Sequence, residues 1–210
     1  MKRRDFLALS AGAALACALA SQAGRAAAQG VDVDAILHDP DAPTGGNPQG
    51  DVTIVAFFDY NCPYCKKSAP DLQRAVKEDG RTRLVYKDWP ILTTASFYGA
   101  QLALAAKYQG KYETAHHALM GISGRRVSEE SMRDAVKRSG VDMARLQADL
   151  DAHGAEIGAL LKRNLAQADS LGLEGTPVYL VGPFKTSTLD YDGFKQALAE
   201  ARRRQADARR

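Results

Sequence analysis

The chain alternates short, continuously apolar runs with longer stretches whose apolar residues recur at helical spacing. VTIVAFF, residues 52–58, is apolar almost throughout and rich in β-branched residues, which predicts a strand buried on both faces of a sheet. From Pro63 to about Glu78, the residues Cys65, Ala69, Leu72 and Val76 share one face at near-helical spacing. This predicts a helix kinked at Pro70, which lacks an amide hydrogen and crowds the Lys66 carbonyl. RLVYK, residues 83–87, predicts a second short strand. From about Ala95 to Leu171 the pattern is helical, with a break near Gly110. Ser128 starts one of these helices, and Glu129 and Glu130 occupy its first turn, where they suit the positive end of the helix dipole. PVYLVG, residues 177–182, predicts a third strand, FKTSTL a fourth, and DYDGFKQALAEARRR a closing helix.

The predicted order is β-α-β, a helical block, then β-β-α. It implies an α/β fold with a parallel, helix-linked first half and an antiparallel hairpin plus helix at the end. Residues 29–50 are rich in Gly, Pro and Asp and read as a lead-in segment; residues 51–210 form one domain with a helical insertion at about 95–171.

The first 28 residues have a different composition. Lys2, Arg3 and Arg4 precede an apolar run from about Phe6 to Ala20, and small residues follow, ending in Ala26-Ala27-Ala28. This is the plan of a secretory signal cleaved near Ala28. The apolar run is shorter than the roughly 20 residues of a membrane-spanning helix. RRDFL resembles the twin-arginine export signal, and Arg25 near the cut fits that route. Localisation in the periplasm is the expectation. The whole chain carries a formal charge of +3, and removing the signal leaves 24 basic and 24 acidic residues. The basic excess therefore belongs to the signal and makes no case for nucleic-acid binding; the basic C-terminal end reads as the solvated last turns of a helix.

After cleavage two cysteines remain, Cys62 and Cys65, in the stretch FFDYNCPYCKKSAP. A disulfide between them closes almost no loop, so it constrains the unfolded chain little, and the spacing calls for a chemical explanation. Proline is favoured at the first helical position. With Pro63 there, Cys62 becomes the N-cap and accepts the amides of Tyr64 and Cys65, which suits a thiolate better than a thiol. Cys62 is then the low-pKa nucleophile, and Cys65, inside the first turn, is the resolving sulfur. A Cys62 pKa of about 4 would favour the dithiol by roughly 4 kcal/mol at neutral pH, or about 90 mV toward oxidising. No metal or cofactor is expected: a zinc site needs about four ligands, and His38, His116, His117 and His153 show no paired spacing with the cysteines. Lys66 after Cys65 excludes a c-type haem motif.

GNPQGDVTIVAFFDYNCPYCKKSAPDL, YKDWPIL, ALAAKYQGKY with HALM, and GLEGTPVYLVG together resemble the DsbA-like thiol-disulfide oxidoreductases of the thioredoxin superfamily. The resemblance runs through nearly the whole mature chain. It implies a thioredoxin-like fold with an inserted helical domain and a redox-active Cys62–Cys65 pair supported by Pro63 and Tyr64. It also implies a cis peptide at Thr176-Pro177, leaving an open backbone edge where a client could add as a strand. One position departs from the family pattern. The acidic residue usual six positions before the first cysteine is replaced by Ala56, while Lys87 resembles its usual basic partner. Proton transfer to and from Cys65 then falls to water, Asp59 or Asp88. His116 resembles the helical histidine of the family and reads as structural, and Trp89, Tyr60, Tyr98 and Tyr112 read as core packing rather than as a client groove.

The implied activity is a periplasmic dithiol oxidase acting on folding exported proteins with cysteines and reoxidised by a membrane quinone-linked partner. A disulfide isomerase or reductase using the same pair is the near alternative, although residues 29–50 are too short for the separate dimerisation domain usual in isomerases. A non-enzymatic holdase with a structural disulfide is the alternative of another class.

Overall fold

The computed structural model describes residues 31–210, and its compact unit runs from Val33 to Arg210. The signal-like segment and Cys17 lie outside the described residues. The elements are α1 (Val33–Leu37), β1 (Thr44–Gly46), β2 (Val52–Phe58), α2 (Pro63–Asp79), β3 (Thr82–Asp88), α3 (Thr94–Ala106), α4 (Tyr112–Met120), α5 (Glu129–Arg138), α6 (Met143–Ser170), β4 (Val178–Val181), β5 (Phe184–Thr186) and α7 (Tyr191–Asp207). The sheet order is β1-β3-β2-β4-β5. β2 and β3 are parallel, and the other pairs are antiparallel. This is a thioredoxin-like α/β fold in which α3–α6 are inserted between β3 and β4.

β2 is central and buried on both faces, which is why its sequence is apolar throughout rather than alternating. Ile54, Ala56 and Phe58 face a core shared with α2–α7, Leu84 and Tyr86. Val55 and Phe57 face a second core with Ile36, Val85, Trp89 and Ala168. The long helix α6 serves both: Ile157, Leu160 and Leu161 belong to the first core and Ala168 to the second. α2 continues through Pro70 to Asp79 and is closed by Gly80 in the left-handed conformation. A short turn of helix and Gly110 separate α3 from α4, and Ser128 caps α5 through the Ser131 amide.

The lead-in carries two elements that the apolar pattern does not signal. α1 is only five residues long, and β1, Thr-Gly-Gly, pairs Thr44 with Val85 and Gly46 with Arg83 at the sheet edge. Gly46 has φ 66°, and a Cβ there would meet the Thr82 carbonyl at 2.4 Å, so only glycine fits this approach.

An ion-pair cluster ties the lead-in to the fold. Lys87 lies in register with Phe57 and so shares its face of the sheet. Its side chain is fully buried, and Nζ donates to Asp39 Oδ2 at 2.9 Å. Arg163 from α6 donates to both oxygens of Asp39, each at 2.9 Å, and to Asp41 at 2.7 Å. Burial raises the Asp39 pKa, but the bonds from Arg163 and Lys87 outweigh it and hold the carboxyl at about 2. Removing one member of such a pair leaves a buried charge alone, at a cost of about 3–5 kcal/mol. Asp39→Asn should therefore destabilise the protein by about 3 kcal/mol at neutral pH in urea unfolding. A carboxyl with a depressed folded pKa stabilises above its unfolded pKa, about 4, and loses this as pH falls toward 2. The gap between wild type and variant should close over that window.

Candidate active site

The site begins where β2 ends. Asp59, buried, accepts from the Asn61 amide at 2.6 Å, Ser96 Oγ at 2.7 Å and the Ile91 and Leu92 amides at 2.9 and 3.0 Å. Its carboxylate is thus committed to holding the β2–α2 turn against the start of the helical insertion. Asn61 extends the same bolt: its amide group donates to Thr93 Oγ1 at 2.8 Å, and its oxygen accepts the Val127 amide at 2.8 Å. Sequence reading missed this role of Asp59 and Asn61. The available signal was two polar residues flanking Tyr60 between an apolar strand and a proline-started helix.

Cys62 is the N-cap of α2, with extended backbone (φ −76°, ψ 117°) and Pro63 behind it. The Cys65 amide donates to Cys62 Sγ at 3.3 Å. Both cysteines are free thiols, 2% and 1% exposed. The Cys65 side chain leads the causes that lower the Cys62 pKa to about 6; burial opposes it, and Thr176 and the Cys65 and Tyr64 amides add to it. Burial, reinforced by neighbouring Cys62, pushes the Cys65 thiol far above its ordinary value. Two chemically identical groups are thus separated: the Cys65 thiol, Thr176 and the helix-tip amides favour the Cys62 thiolate, while burial keeps Cys65 protonated.

Thr176 faces this pair, and the Thr176-Pro177 peptide is cis. The Cys62 thiol donates to the Thr176 carbonyl at 3.2 Å. The buried Thr176 hydroxyl has no partner in this arrangement and helps lower the Cys62 pKa. Thr176 thus accepts from the thiol through its carbonyl, and its side chain favours the thiolate.

Pro63, Tyr64, Thr176 and Pro177 are brought together around the cysteines. Lys87 is not. It lies on the face of the sheet opposite Ala56 and is engaged with Asp39, so it is no partner for a group beside Cys65. Ala56 does lie beside Cys65, together with Phe58, Tyr86, His116 and Tyr179, around a small cavity. Trp89, Tyr60 and Tyr112 are core residues, and Tyr98 packs on the core. The exposed apolar side chains near the site are instead Tyr64, Ile91, Leu92 and Phe97. A cleft of about 570 Å³ runs beside Pro63 along Lys66, Lys67 and the loop to Arg125. Another of about 400 Å³ borders Thr176 and Pro177. Among the described residues no cluster of three or more His, Cys, Asp or Glu could hold a metal ion.

Known proteins share this fold. Residues 53–199 match the DSBA-like thioredoxin domain family. A thioredoxin-like oxidoreductase from Silicibacter pomeroyi superposes with a TM-score of 0.76 at 41% identity, over 82% of this chain and 98% of that one. The thiol-disulfide exchange protein alpha-DsbA2 from Wolbachia pipientis superposes at 0.74 with 28% identity, over 80% and 90%. The Na(+)/H(+) antiporter NhaA 3 of Salinispora tropica is 27% identical over 202 residues, a match spanning 91% of this chain but only 30% of the antiporter's length. Among the described residues no helix is long and apolar enough to cross a membrane.

In the dithiol form, one thiolate should appear with a midpoint near pH 6 by ultraviolet absorbance, and Cys62→Ser should abolish it. Thr176→Val keeps the carbonyl and removes the hydroxyl, so the midpoint should rise by about one to two units, the worth of one hydrogen bond to a charged group.

Proposed function

The chain belongs to the DSBA-like thioredoxin domain family, and we propose that within it the protein is a dithiol oxidase that passes its Cys62–Cys65 disulfide to exported proteins as they fold. The observation that carries this is the Cys62 sulfur at the tip of α2, 3.3 Å from the Cys65 amide and ionising near pH 6, beside a resolving thiol held protonated. A client thiolate attacks Cys62 Sγ, forming a mixed disulfide as the Cys62–Cys65 bond breaks and Cys65 leaves. A second client thiolate attacks the client sulfur, and Cys62 departs as the stabilised thiolate. Two electrons pass from client to enzyme, and a membrane quinone-linked partner removes them. The two clefts beside Pro63 and Pro177 give an extended client room on either side of Cys62. Tyr64, Ile91, Leu92 and Phe97 offer it apolar contact.

The magnitude of the pKa shift bears on direction. At a pKa of about 6 rather than 4, the thiolate stabilises the dithiol at pH 7 by about 1.4 kcal/mol, or about 30 mV. That is a weaker oxidising push than the lower value would give, and it favours, as a second reading, disulfide isomerisation or reduction by the same pair. Equilibration with a glutathione buffer decides. A potential near about −120 mV fits the oxidase and one between about −180 and −270 mV the isomerase or reductase, whereas one below about −300 mV marks an inert structural disulfide and ends both readings. Cys65→Ser should accumulate mixed disulfides through Cys62, whereas Cys62→Ser should not; trapping through Cys65 would reverse the roles.

The proposed workplace is the periplasm, supported by the signal-like first 28 residues and by disulfide chemistry suited to an oxidising compartment. Mass spectrometry of periplasmic protein should find a chain beginning near Gln29. Replacing Arg3 and Arg4 with Lys should block export by the twin-arginine route.

A further inference from the structure

Exchange at this site moves a proton as well as electrons. When Cys65 leaves the disulfide it is a thiolate buried beside an apolar strand, a state that burial strongly disfavours. Ala56 supplies no proton, Asp59 is occupied by four donors, and Lys87 is on the other face. The same side of the sheet holds polar groups that the exchange steps do not use. His116 is buried and lines the cavity below Cys65, whose volume open to a water centre is about 10 Å³, roughly one water. Its Nδ1 bonds the hydroxyl of Tyr60, also buried, at 3.1 Å. Tyr60 also faces Asp88, which accepts from Tyr112 at 2.6 Å. Asp88 Oδ1 is buried with no partner.

We propose that His116, Tyr60 and Asp88 form a buried relay that delivers a proton to Cys65 as it leaves the disulfide and takes it back when the disulfide re-forms. This rests on the thiol-exchange reading above. In the forward direction the client thiolate bonds to Cys62 Sγ and the Cys62–Cys65 bond breaks. The Cys65 thiolate takes a proton through one water in the cavity from His116 Nε2. His116 Nδ1 takes the Tyr60 hydroxyl proton, and Tyr60 takes one from Asp88. The net change is Asp88 carboxyl to carboxylate and Cys65 thiolate to thiol, and no charge remains on the imidazole. The order of affinities suits this. Burial raises Asp88 to about 7, so near neutral pH it can both give and accept a proton, whereas burial lowers His116 to about 3 and keeps it neutral as a conduit. The relay also gives a purpose to the otherwise orphaned Asp88 oxygen and to a histidine caged by Phe58, Tyr86 and Tyr112. The titratable groups facing Asp88 and His116 are Tyr60 before α2, Tyr86 on β3 with Glu113 bonded to it, Tyr112 and His117 on α4, and Cys65 on α2.

The test is rapid acid-quenched thiol trapping of the oxidised enzyme against a cysteine peptide, as a function of pH. Tyr60→Phe removes one hydroxyl from the chain, and His116→Phe removes the imidazole; circular dichroism checks that each folds. Each should slow formation of the mixed disulfide by about ten- to a hundredfold while the Cys62 thiolate midpoint stays where it is. Wild type should show an inflection near pH 7 that Asp88→Asn abolishes. Ala56→Glu, which sends a carboxyl into the same cavity, should restore the rate of Tyr60→Phe. Folded variants that exchange at the wild-type rate overturn the relay. So does slowing that Ala56→Glu does not reverse and that leaves the pH inflection intact, because that pattern is structural. Failure of wild type itself to exchange overturns the thiol-exchange reading instead.

Discussion

The hydrogen bond from the Cys65 amide to Cys62 Sγ depends on a helix starting at one particular residue, and much of the structure serves to place that start. A cap one position earlier or later would put a different side chain against the free amides of the first turn. Pro63 favours the position locally because it needs no amide partner and its φ is already helical. Tertiary contacts then fix it. The buried β2 strand brings the chain up, Asp59 gathers the amides of Ile91 and Leu92 with the Ser96 hydroxyl, and Asn61 bonds Val127. The helical insertion is thus attached at Asp59 and Asn61, just before Cys62. Altering that attachment would move the cap and with it the ionisation of Cys62.

The two faces of the central sheet divide the work. On the face with Val55 and Phe57, the charged cluster of Lys87, Asp39, Asp41 and Arg163 joins lead-in, sheet and α6. On the other face the residues nearest the cysteines are apolar or neutral: Ala56, Phe58, Tyr86, His116 and Tyr179. A fixed charge beside Cys65 would shift both sulfurs, because one pKa unit is about 1.36 kcal/mol of differential interaction and the electrostatics in a buried site are weakly screened. Keeping this cluster on the far face leaves the Cys65 thiol, Thr176 and the helix terminus to set the poise of Cys62.

Much of this was legible in the sequence, and the rest was hidden for physical reasons. β2, α2, β3, the helical block and the closing hairpin and helix each carry an apolar period or a cap, and each appears within a few residues of its predicted bounds. β1 has no such period: its three residues are held by backbone bonds at a sheet edge. The cap at Cys62 was legible because Pro63 marks a helix start, which is a local rule. The partner of Lys87 was not, since Asp39 lies 48 positions away and nothing in the intervening sequence couples them. The alternation of β3 did contain part of the answer. Lys87 is three positions from Leu84 and two from Val85, so period two puts it with Val85, away from Ala56.

Separating the two cysteine pKa values creates a kinetic problem along with the poise. The stabilisation of the Cys62 thiolate comes first from the Cys65 thiol, then from Thr176 and the amides at the helix tip, and Cys65 one turn in has no equivalent set of donors. In the proposed exchange, attack at Cys62 places negative charge on the sulfur least able to carry it. A buried carboxylate beside Cys65 would relieve this, but its own charge would add to the desolvation cost and raise both thiol pKa values. Moving the acid outward to Asp88, with neutral His116 and Tyr60 in between, keeps a proton within reach while holding the charge away from the sulfurs. Ala56 and the buried histidine are then two parts of one proposed arrangement, since both line the cavity that Cys65 also borders.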